Sequence, residues 1–429
     1  MRPQTPEASE LFSWASELFP MGRSLTGQGV RDTLTFIKGI LPDLELHSIE
    51  SGTQVFDWQV PDEWNVRSAW IRDATGNTVA DYTTNNLHLV GYSTPIKTEM
   101  DLEELDGHLY SLPEMPDAIP YVTSYYERRW GFCLSDRVRR GLSPGRYSVS
   151  IDTELKPGML DYADLVLPGR LDDEIMFTTY ICHPSMANNE VSGPVVTTAL
   201  AKVMSEIKER RFTYRFVFAP ETIGPLVYMS EHLENLQERV QAGWVVTCVG
   251  DRRTYSYLAS RTGSTLADRI SLFALHDLSL EFRTYSFLQR GSDERQWNSP
   301  GANLPFCSLM RSKYGEYPEY HTSLDDLSLI SGEGLAESLT LLLHCVYILE
   351  NNRTYVSTVV GEPQLGRRGL YSTLSRVGSA DDARTLLDVL AYCDGRNDLV
   401  AISRTLSKPF SSVLSAVETL KTHALLKDA

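Results

Sequence analysis

The hydrophobic pattern changes character along the first quarter of the chain. Apolar positions recur at helical spacing over residues 7–19 and again over 29–40, and Pro42 limits the second helix. The residues that follow carry short alternating runs rich in aromatics, and ATGN at 74–77, between two such runs, is typical of a β-hairpin. The pattern therefore predicts two helices followed by a small inserted β subdomain at 52–107.

From about residue 118, short apolar runs alternate with helical patterns. The predicted strands lie at 147–155, 160–169, 174–184, 212–221 and 242–251, and the predicted helices at 193–207, 226–236, 264–276 and 327–350. Strands separated by helices indicate an α/β domain with a mostly parallel sheet flanked by helices. This domain is expected to comprise residues 1–51 and 108–355.

The C-terminal stretch has a pattern of its own. After a predicted linker at 352–364, short helical segments are predicted at 381–393, 397–405 and 409–423. The run LVAISRTLSKPFSSVLSAVETLKTHALL has the shape of a helix-turn-helix, so a winged-helix-like domain is predicted at 365–429. The helix in the position of a recognition helix, 410–422, carries Lys421 as its one positive charge, which favours a packing or dimerisation role over DNA binding.

Composition narrows the class of protein. The 429 residues are 42% apolar, which suffices for two or three packed domains, and the net charge of -16 argues against general binding to nucleic acid or anionic membranes. The first twenty residues lack the pattern of a signal peptide, and no apolar run reads as a membrane span, so a cytoplasmic protein is expected. The six cysteines are scattered and contain no CxxC pair, so we expect reduced core thiols and a metal site of histidine and carboxylate.

Polar side chains follow the predicted strands. His183, Glu221 and Asp251 each lie at the end of one, and His321 precedes the last helix of the α/β domain. Ligands bind at the carboxyl ends of such strands, and histidine and carboxylates are ligands that zinc prefers. Each residue alone also has an ordinary structural interpretation, such as Asp251 as the cap of a turn. Their occurrence at successive strand ends is what suggests a metal site.

The order of these residues resembles the zinc aminopeptidase superfamily typified by bacterial leucyl aminopeptidases. In that superfamily a histidine after a strand is followed by a D-x-x-S-G helix start, an E-E-x-G strand end, an aspartate, a Ser-Asp-His loop and a final H-T-x-x-D. The matching segments here are His183, NNEVSG at 188–193, ETIG at 221–224, Asp251, SDE at 292–294 and HTSLD at 321–325.

More closely, the chain resembles a bacterial family of unknown function with an aminopeptidase-like domain. The resemblance covers nearly the whole chain and implies a β-rich insertion near the N-terminus and a C-terminal winged helix. The segments that carry it are VFDWQVPDEWNV at 55–66, PYVTSYYERRWGFCLS at 120–135, YICHPSMANNEVSGP at 180–194, APETIGP at 219–225 and GSDERQWNSPGANLP at 291–305.

The resemblance implies roles for four residues. His183 and Asp251 would hold one metal ion, His321 would serve the second metal position, and Glu221 would be the general base that takes a proton from water.

Neighbouring residues are candidates for substrate contact. Asp293 or Glu294 would hold the α-ammonium group of a substrate, and Arg295 would bind a carboxylate or remain an ordinary surface charge. Tyr320 is a further candidate, with ordinary packing as its alternative.

Three positions depart from the superfamily pattern. The acid that bridges two metals aligns with Asn189, the second glutamate with Thr222, and the histidine of the Ser-Asp-His loop with Glu294. An amide cannot offset the repulsion between two dications as a carboxylate does, so one zinc ion is expected in preference to two. Glu190 or Glu294 could replace a missing acid, and complete loss of the metal is the alternative.

The sequence thus predicts a zinc-dependent aminopeptidase-like hydrolase that cleaves an amide bond in a small peptide or amino-acid conjugate. Two alternatives stay open: a non-catalytic binding protein on the same fold, and a DNA-binding regulator that uses the winged helix. No membrane partner is expected, and a homo-oligomer could form through the C-terminal domain or the β insertion.

Overall fold

A computed structural model describes residues 4–370 and 379–429, with side chains from 383 onward in the second range. The chain divides into two compact units. The first comprises Met1–Arg269 and Glu281–Leu342, and the second comprises Ile270–Leu280 and Leu343–Ala429.

The longer of the described helices agree closely with the predicted ones, whereas three short helices of four or five residues were not predicted. They are α1 (Ala8–Leu18), α2 (Gln28–Ile40), α3 (Leu102–Asp106), α4 (Asp136–Arg140), α5 (Ser192–Glu206), α6 (Ile223–Arg239), α7 (Leu266–Asp277), α8 (Glu294–Trp297), α9 (Gly332–Asn351), α10 (Ser379–Tyr392), α11 (Leu399–Leu406) and α12 (Phe410–Thr422). The strands are β1 (Glu45–Glu50), β2 (Gln54–Val55), β3 (Trp58–Gln59), β4 (Glu63–Asp73), β5 (Thr78–Asp81), β6 (Ile96–Asp101), β7 (Leu109–Tyr110), β8 (Phe132–Cys133), β9 (Arg146–Lys156), β10 (Met159–Leu167), β11 (Glu174–Tyr180), β12 (Thr213–Ala219), β13 (Val240–Val245), β14 (Tyr255–Leu258), β15 (Phe282–Tyr285), β16 (Phe306–Met310), β17 (Thr354–Ser357), β18 (Asp394–Asp398) and β19 (Leu426–Asp428).

The first unit is built on an eight-stranded sheet in the order β1-β10-β12-β11-β13-β16-β14-β15. The central strands β12, β11, β13 and β16 run parallel. At one end of the sheet β10 pairs antiparallel with both β12 and β1, and at the other end β14 pairs antiparallel with β16 and parallel with β15. All seven residues of β11 are buried, as expected for a parallel strand covered on both faces. The predicted α/β sheet flanked by helices is confirmed.

A second sheet of the first unit, in the order β5-β4-β9-β6, contains the predicted hairpin. Its turn is stabilised by Asp73, whose Oδ1 accepts hydrogen bonds from the backbone N–H groups of Thr75 and Asn77, each at 2.9 Å. The predicted β subdomain ended at residue 107, whereas this sheet takes a central strand, β9, from beyond that boundary. Such pairing between distant segments leaves no local signal in the sequence.

The second unit has the three-stranded sheet β18-β17-β19 and the helices α10, α11 and α12. The buried Phe410 of α12 packs edge-on against Phe273 and Tyr347, with ring centroids 6.0 and 5.7 Å apart. Strand β17 falls in the segment predicted as a linker, because a strand of four residues is too short for its alternation to be recognised.

Helix α9 is an exception to the expectation that no segment is long and apolar enough to span a membrane. It has 20 residues, and its mean hydropathy of 1.2 passes a test based on length and composition alone. Of its most apolar 18-residue window, 61% is buried inside the protein, as is usual for a core helix.

Candidate active site

A cavity of about 440 Å³ lies beside the carboxyl ends of two parallel strands. His183 follows the end of β11 and Glu221 follows the end of β12, and both line the cavity together with His321 and Arg295. The structure therefore gathers four of the residues singled out in the sequence around one space. The aromatic part of the lining consists of Trp58, Tyr121, Tyr125 and Tyr126.

The imidazole of His183 is held by a buried ion pair. Its Nδ1 donates to Oε2 of Glu190 at 3.0 Å, and Nε of Arg23 lies 3.2 Å from the other oxygen of this carboxylate. Arg23 also donates to the carbonyl oxygen of His183 at 3.0 Å. Burial acts to lower the pKa of His183, but the hydrogen bond and charge of Glu190, helped by Glu221, raise it overall.

With Nδ1 engaged, Nε2 of His183 is the ring nitrogen that faces Glu221. The separation from Nε2 to Oε2 of Glu221 is 3.6 Å, which is too long for a hydrogen bond. The Glu221 side chain is 20% exposed, and burial raises its pKa. The pair thus leaves an imidazole nitrogen and a carboxylate facing the same space.

Glu221 owes its position to a strained turn. Thr222 has φ +67°, a left-handed conformation that a β-branched residue rarely adopts, and α6 begins directly after it. The N–H of Thr222 donates to Oδ1 of Asp293 at 2.7 Å, and Arg295 donates to the Thr222 hydroxyl. These contacts hold the turn that brings Glu221 to the cavity.

His321 also has a left-handed backbone, with φ +56°. Its ring stacks on Tyr320 with centroids 3.9 Å apart and lies 5.5 Å from the ring of His183. Burial, together with the charge of His183, lowers the pKa of His321 to about 3, so the imidazole is neutral at physiological pH. Tyr320 is therefore a stacking partner of His321, and it is not among the residues that line the cavity.

Two tyrosines of the cavity were missed in the sequence. The hydroxyls of Tyr121 and Tyr125 lie 2.6 Å apart, and the Tyr121 ring contacts both His183 and His321 at centroid distances of 5.2 and 5.1 Å. Burial raises the pKa of both hydroxyls well above the ordinary value, so both stay protonated. The cluster of tyrosines in PYVTSYYERRW was a usable signal, but the segment lies in a loop without periodicity.

Asp251 is placed differently from the predicted metal ligand. Its Oδ1 accepts from the Ser312 hydroxyl and the Arg253 N–H, and its Oδ2 accepts from the Ser312 N–H and from Nδ2 of Asn188, at 2.8–3.0 Å in each case. The carboxylate is thus occupied by four hydrogen bonds, and it does not line the cavity. The physical reason is strand length: β13 ends at Val245, six residues before Asp251, whereas the sequence predicted a strand up to this residue.

Asn189 lies in the buried turn before α5 and does not line the cavity. Its Oδ1 accepts from the Tyr180 hydroxyl at 2.9 Å, and its N–H donates to Asp325 at 3.0 Å. In the described ranges its Nδ2 has no hydrogen-bond partner. The position of the bridging acid therefore holds a neutral amide bonded to the surrounding scaffold.

Asp293 and Glu294 face the protein interior, where they are 1% and 0% exposed. Oε1 of Glu294 accepts from the N–H groups of Gly291 and Ser292 at 2.9 and 3.1 Å and from the Tyr314 hydroxyl. Asp293 binds the Thr222 turn, and burial, together with the charge of Glu221, raises its pKa well above the ordinary value. Neither acid lines the cavity, which differs from the substrate-binding role predicted for them.

The arrangement does not fit a two-metal centre, because Asn189 and Thr222 supply no carboxylate and Asp251 is fully hydrogen-bonded. It does fit the donor chemistry of a single ion. Zinc-binding histidines commonly donate their second ring N–H to a carboxylate, as His183 does to Glu190. A neutral His321 and the Glu221 carboxylate face the same cavity.

Two groups of three metal-capable side chains lie close together in the described part of the chain. One is Cys182, His183 and Glu190, in which Glu190 already pairs with Arg23 and burial raises the thiol pKa well above the ordinary value. Cys182 and His183 line the cavity, whereas Glu190 supports the imidazole of His183 through its Nδ1 and is not among the lining residues. The other comprises Glu45, His47 and Asp164, and its central contact is a 2.8 Å hydrogen bond from His47 to Asp164.

Family models account for both parts of the chain. Residues 12–352 match the model described as a domain of unknown function, DUF4910, and residues 353–428 match a winged helix-turn-helix model. The second match confirms the winged helix predicted from the sequence.

Individual relatives give the same assignment. A Clostridium acetobutylicum protein, named as a candidate polysaccharide biosynthesis protein with an aminopeptidase-like domain, is 42% identical over 97% of this chain and 96% of its own length. A crystal structure of a candidate peptidase from that organism has a TM-score of 0.93 at 40% identity and covers 98% of this chain and 96% of that one. A zinc aminopeptidase from Bacillus subtilis shares the fold, with a TM-score of 0.59 at 12% identity over 81% of this chain and 96% of that one. The chain therefore belongs to the DUF4910 family, with an aminopeptidase-like α/β domain followed by a winged helix.

Proposed function

We propose that this protein hydrolyses an amide bond in a small peptide or amino-acid conjugate, in the cavity lined by His183, Glu221 and His321. The observation that carries the proposal is the 3.6 Å approach of Nε2 of His183 to the Glu221 carboxylate inside this cavity. The aminopeptidase-like domain named for the Clostridium acetobutylicum relative supports the reaction class.

One zinc ion is part of the proposal, held by His183 and His321. When bound, zinc supplies Lewis-acid chemistry that polarises a carbonyl group. Two imidazoles are fewer protein ligands than the three of most catalytic zinc sites, so we expect a weakly held ion that dialysis removes and added zinc restores.

The protein's own residues have distinct tasks in the proposed reaction. Glu221 accepts a proton from the attacking water and returns it to the leaving amine. Glu190 fixes the tautomer of His183 by accepting its Nδ1 proton. In the Tyr121–Tyr125 pair one hydroxyl donates to the other, which leaves one O–H free to donate to the carbonyl oxygen of the substrate.

A binding protein on the same fold is the second candidate function. It is favoured by one specific observation: the positions of two superfamily metal ligands, Asn189 and Asp251, are occupied by hydrogen bonds to the scaffold. A protein of this kind would bind amino-acid conjugates in the cavity without turnover.

All six cysteines are buried and free of disulfides. Reduced thiols are typical of the cytosol, and this supports the proposal of a cytoplasmic protein.

The test of the proposed reaction is a screen of aminoacyl and N-acyl amides with zinc-supplied protein, read out as release of primary amine. We expect Glu221→Gln to lower turnover by roughly 100-fold or more while zinc content stays unchanged, because the variant loses the proton acceptor. Glu234→Gln is the matched control, since Glu234 is an exposed glutamate of α6, the helix that begins after the turn next to Glu221. Equal turnover in the wild type and Glu221→Gln would contradict the role of Glu221.

A further inference from the structure

The charges that line the cavity are unequal in their availability to a substrate. Glu221 is the carboxylate in the lining, and the proposed reaction uses it as the proton acceptor. Arg295 is the arginine in the lining, and its side chain is exposed. The guanidinium of Arg295 is therefore available to bind a substrate, whereas the carboxylate of Glu221 is needed as the proton acceptor.

Arg295 is oriented without being neutralised. One of its terminal nitrogens donates to the Thr222 hydroxyl, which anchors the guanidinium beside the strained turn. No ion pair of Arg295 with a carboxylate within 4.0 Å is found among the described side chains, those of residues 4–370 and 383–429, although its charge acts on both Glu221 and Asp293. The remaining N–H groups of the planar guanidinium are suited to bind a carboxylate through two parallel hydrogen bonds.

An α-ammonium group has no comparable partner in the cavity. The two acids next to Arg295 in the sequence, Asp293 and Glu294, are buried and bound to backbone N–H groups. An ammonium group would have to pair with Glu221, and a carboxylate engaged in that way is a poorer proton acceptor. The distribution of charge thus favours a substrate with an anionic end.

The aromatic lining adds a preference for an apolar body. Trp58 and Tyr126 are 39% and 57% exposed, and their rings meet edge-on with centroids 6.1 Å apart. The Tyr126 hydroxyl donates to the carbonyl oxygen of Gln59 at 3.4 Å, which ties the loop that carries Tyr126 to the β2–β3 hairpin that carries Trp58. Exposed aromatics at a cavity with one polar anchor are typical of a small-molecule site.

We propose that the cavity selects N-acyl amino acids and similar amides that carry a free carboxylate and an apolar body, with Arg295 as the residue that binds the carboxylate. This inference rests on the proposed amide hydrolysis for its reaction. It concerns binding, and it can therefore be tested separately from turnover.

The test is isothermal titration calorimetry on zinc-free full-length protein with two probes that share a phenylalanine body. N-acetyl-L-phenylalanine is an anion, and L-phenylalaninamide carries an ammonium group and no carboxylate. The wild type should bind the anion at least tenfold more tightly, and Arg295→Gln should weaken that binding roughly tenfold or more. Arg295→Lys should give an intermediate affinity, because it keeps the charge and loses the planar fork.

Arg290→Gln is the matched control, since Arg290 is an exposed arginine shortly before α8, the helix that carries Arg295. Its guanidinium contacts Phe287, and it does not line the cavity. Tighter binding of L-phenylalaninamide, binding of neither probe, or equal affinities in the wild type and Arg295→Gln would overturn the inference. Binding of the anion without any turnover in the amide screen would leave the inference standing and count against the proposed hydrolysis alone. Turnover of aminoacyl amides without turnover of N-acyl amino acids would support the proposed hydrolysis and count against the inferred preference for a carboxylate.

Discussion

Nδ1 of His183 lies 3.0 Å from Oε2 of Glu190, and Arg23 approaches the same carboxylate to 3.2 Å. The three side chains are between 0% and 5% exposed, so their charges are compensated almost entirely by one another. Arg23 precedes α2, and Glu190 lies in the turn before α5, so one buried ion pair connects two distant segments at the histidine. This relationship fixes which ring nitrogen of His183 faces the cavity.

Removal of Arg23 should destabilise the first unit strongly. Arg23→Met leaves Glu190 buried without its cation, and the expected loss is about 3–5 kcal/mol. The double variant with Glu190→Gln should lose less than the sum of the two single changes, because it removes both charges. All seven tryptophans lie in the first unit, so urea unfolding followed by tryptophan fluorescence measures its stability. Additive losses would show that the two residues do not interact.

Asp251 should behave as a scaffold residue and not as a metal ligand. Asp251→Asn keeps the shape but replaces one acceptor oxygen by a donor, which disturbs hydrogen bonds from Ser312 or Asn188. We expect a loss of about 1–3 kcal/mol in the free energy of unfolding and an unchanged affinity for zinc. A variant of wild-type stability that no longer binds zinc would assign Asp251 to the metal instead.

The ion pair of Glu63 with Arg31 should make stability depend on pH. Burial acts to raise the pKa of Glu63, but hydrogen bonds from Arg31, the Met159 N–H and Asn65 lower this pKa to about 2. An acid with a lowered pKa stabilises the folded state fully above its unfolded pKa of about 4.5, and this contribution is lost as pH falls toward 2.

Glu63→Gln should therefore cost about 1–2 kcal/mol at pH 7, after allowance for solvent screening. The difference from the wild type should stay constant between about pH 7 and 5 and shrink below about pH 4.5. Asp152→Asn is the control, because Asp152 is 53% exposed in its pair with Arg67 and should change stability by less than about 0.5 kcal/mol. A difference that grows on acidification would have the wrong sign for this account.

The winged helix should not retain duplex DNA at physiological salt. Lys421 is the positive charge on α12, and it pairs with Asp428 at 2.8 Å. Binding to DNA relies on several cations that contact phosphates. Fluorescence anisotropy with a mixed-sequence duplex should show no binding at physiological salt, and salt-dependent binding there would favour the regulator hypothesis.

Much of the fold follows from local patterns in the sequence. The buried runs of β11 and β12 and the helical spacing of α5 were sufficient to predict an α/β sheet and to place His183 and Glu221 at strand ends. The crossing of β9 into the inserted sheet was not predictable, because it depends on pairing with distant strands.

Whether each acidic side chain is free or already hydrogen-bonded was harder to predict than its position at a strand end or in a loop. Whether Asp251 or Glu294 is free for a ligand depends on donors from Ser312 and Tyr314, which are distant in the sequence. The supporting role of Glu190 likewise depends on Arg23, more than 160 residues away. Only the folded chain shows which carboxylates face the cavity and which hold the scaffold.

The central claim is a one-ion site on His183 and His321, and zinc content per chain measures it most directly. Protein at equilibrium in dialysis against zinc-containing buffer should hold about one zinc ion per chain above the buffer concentration by elemental mass spectrometry, and His183→Ala and His321→Ala should each hold almost none. Two ions per chain, or one ion that both variants retain, would contradict this site, and no zinc in the wild type would leave a metal-free binding protein.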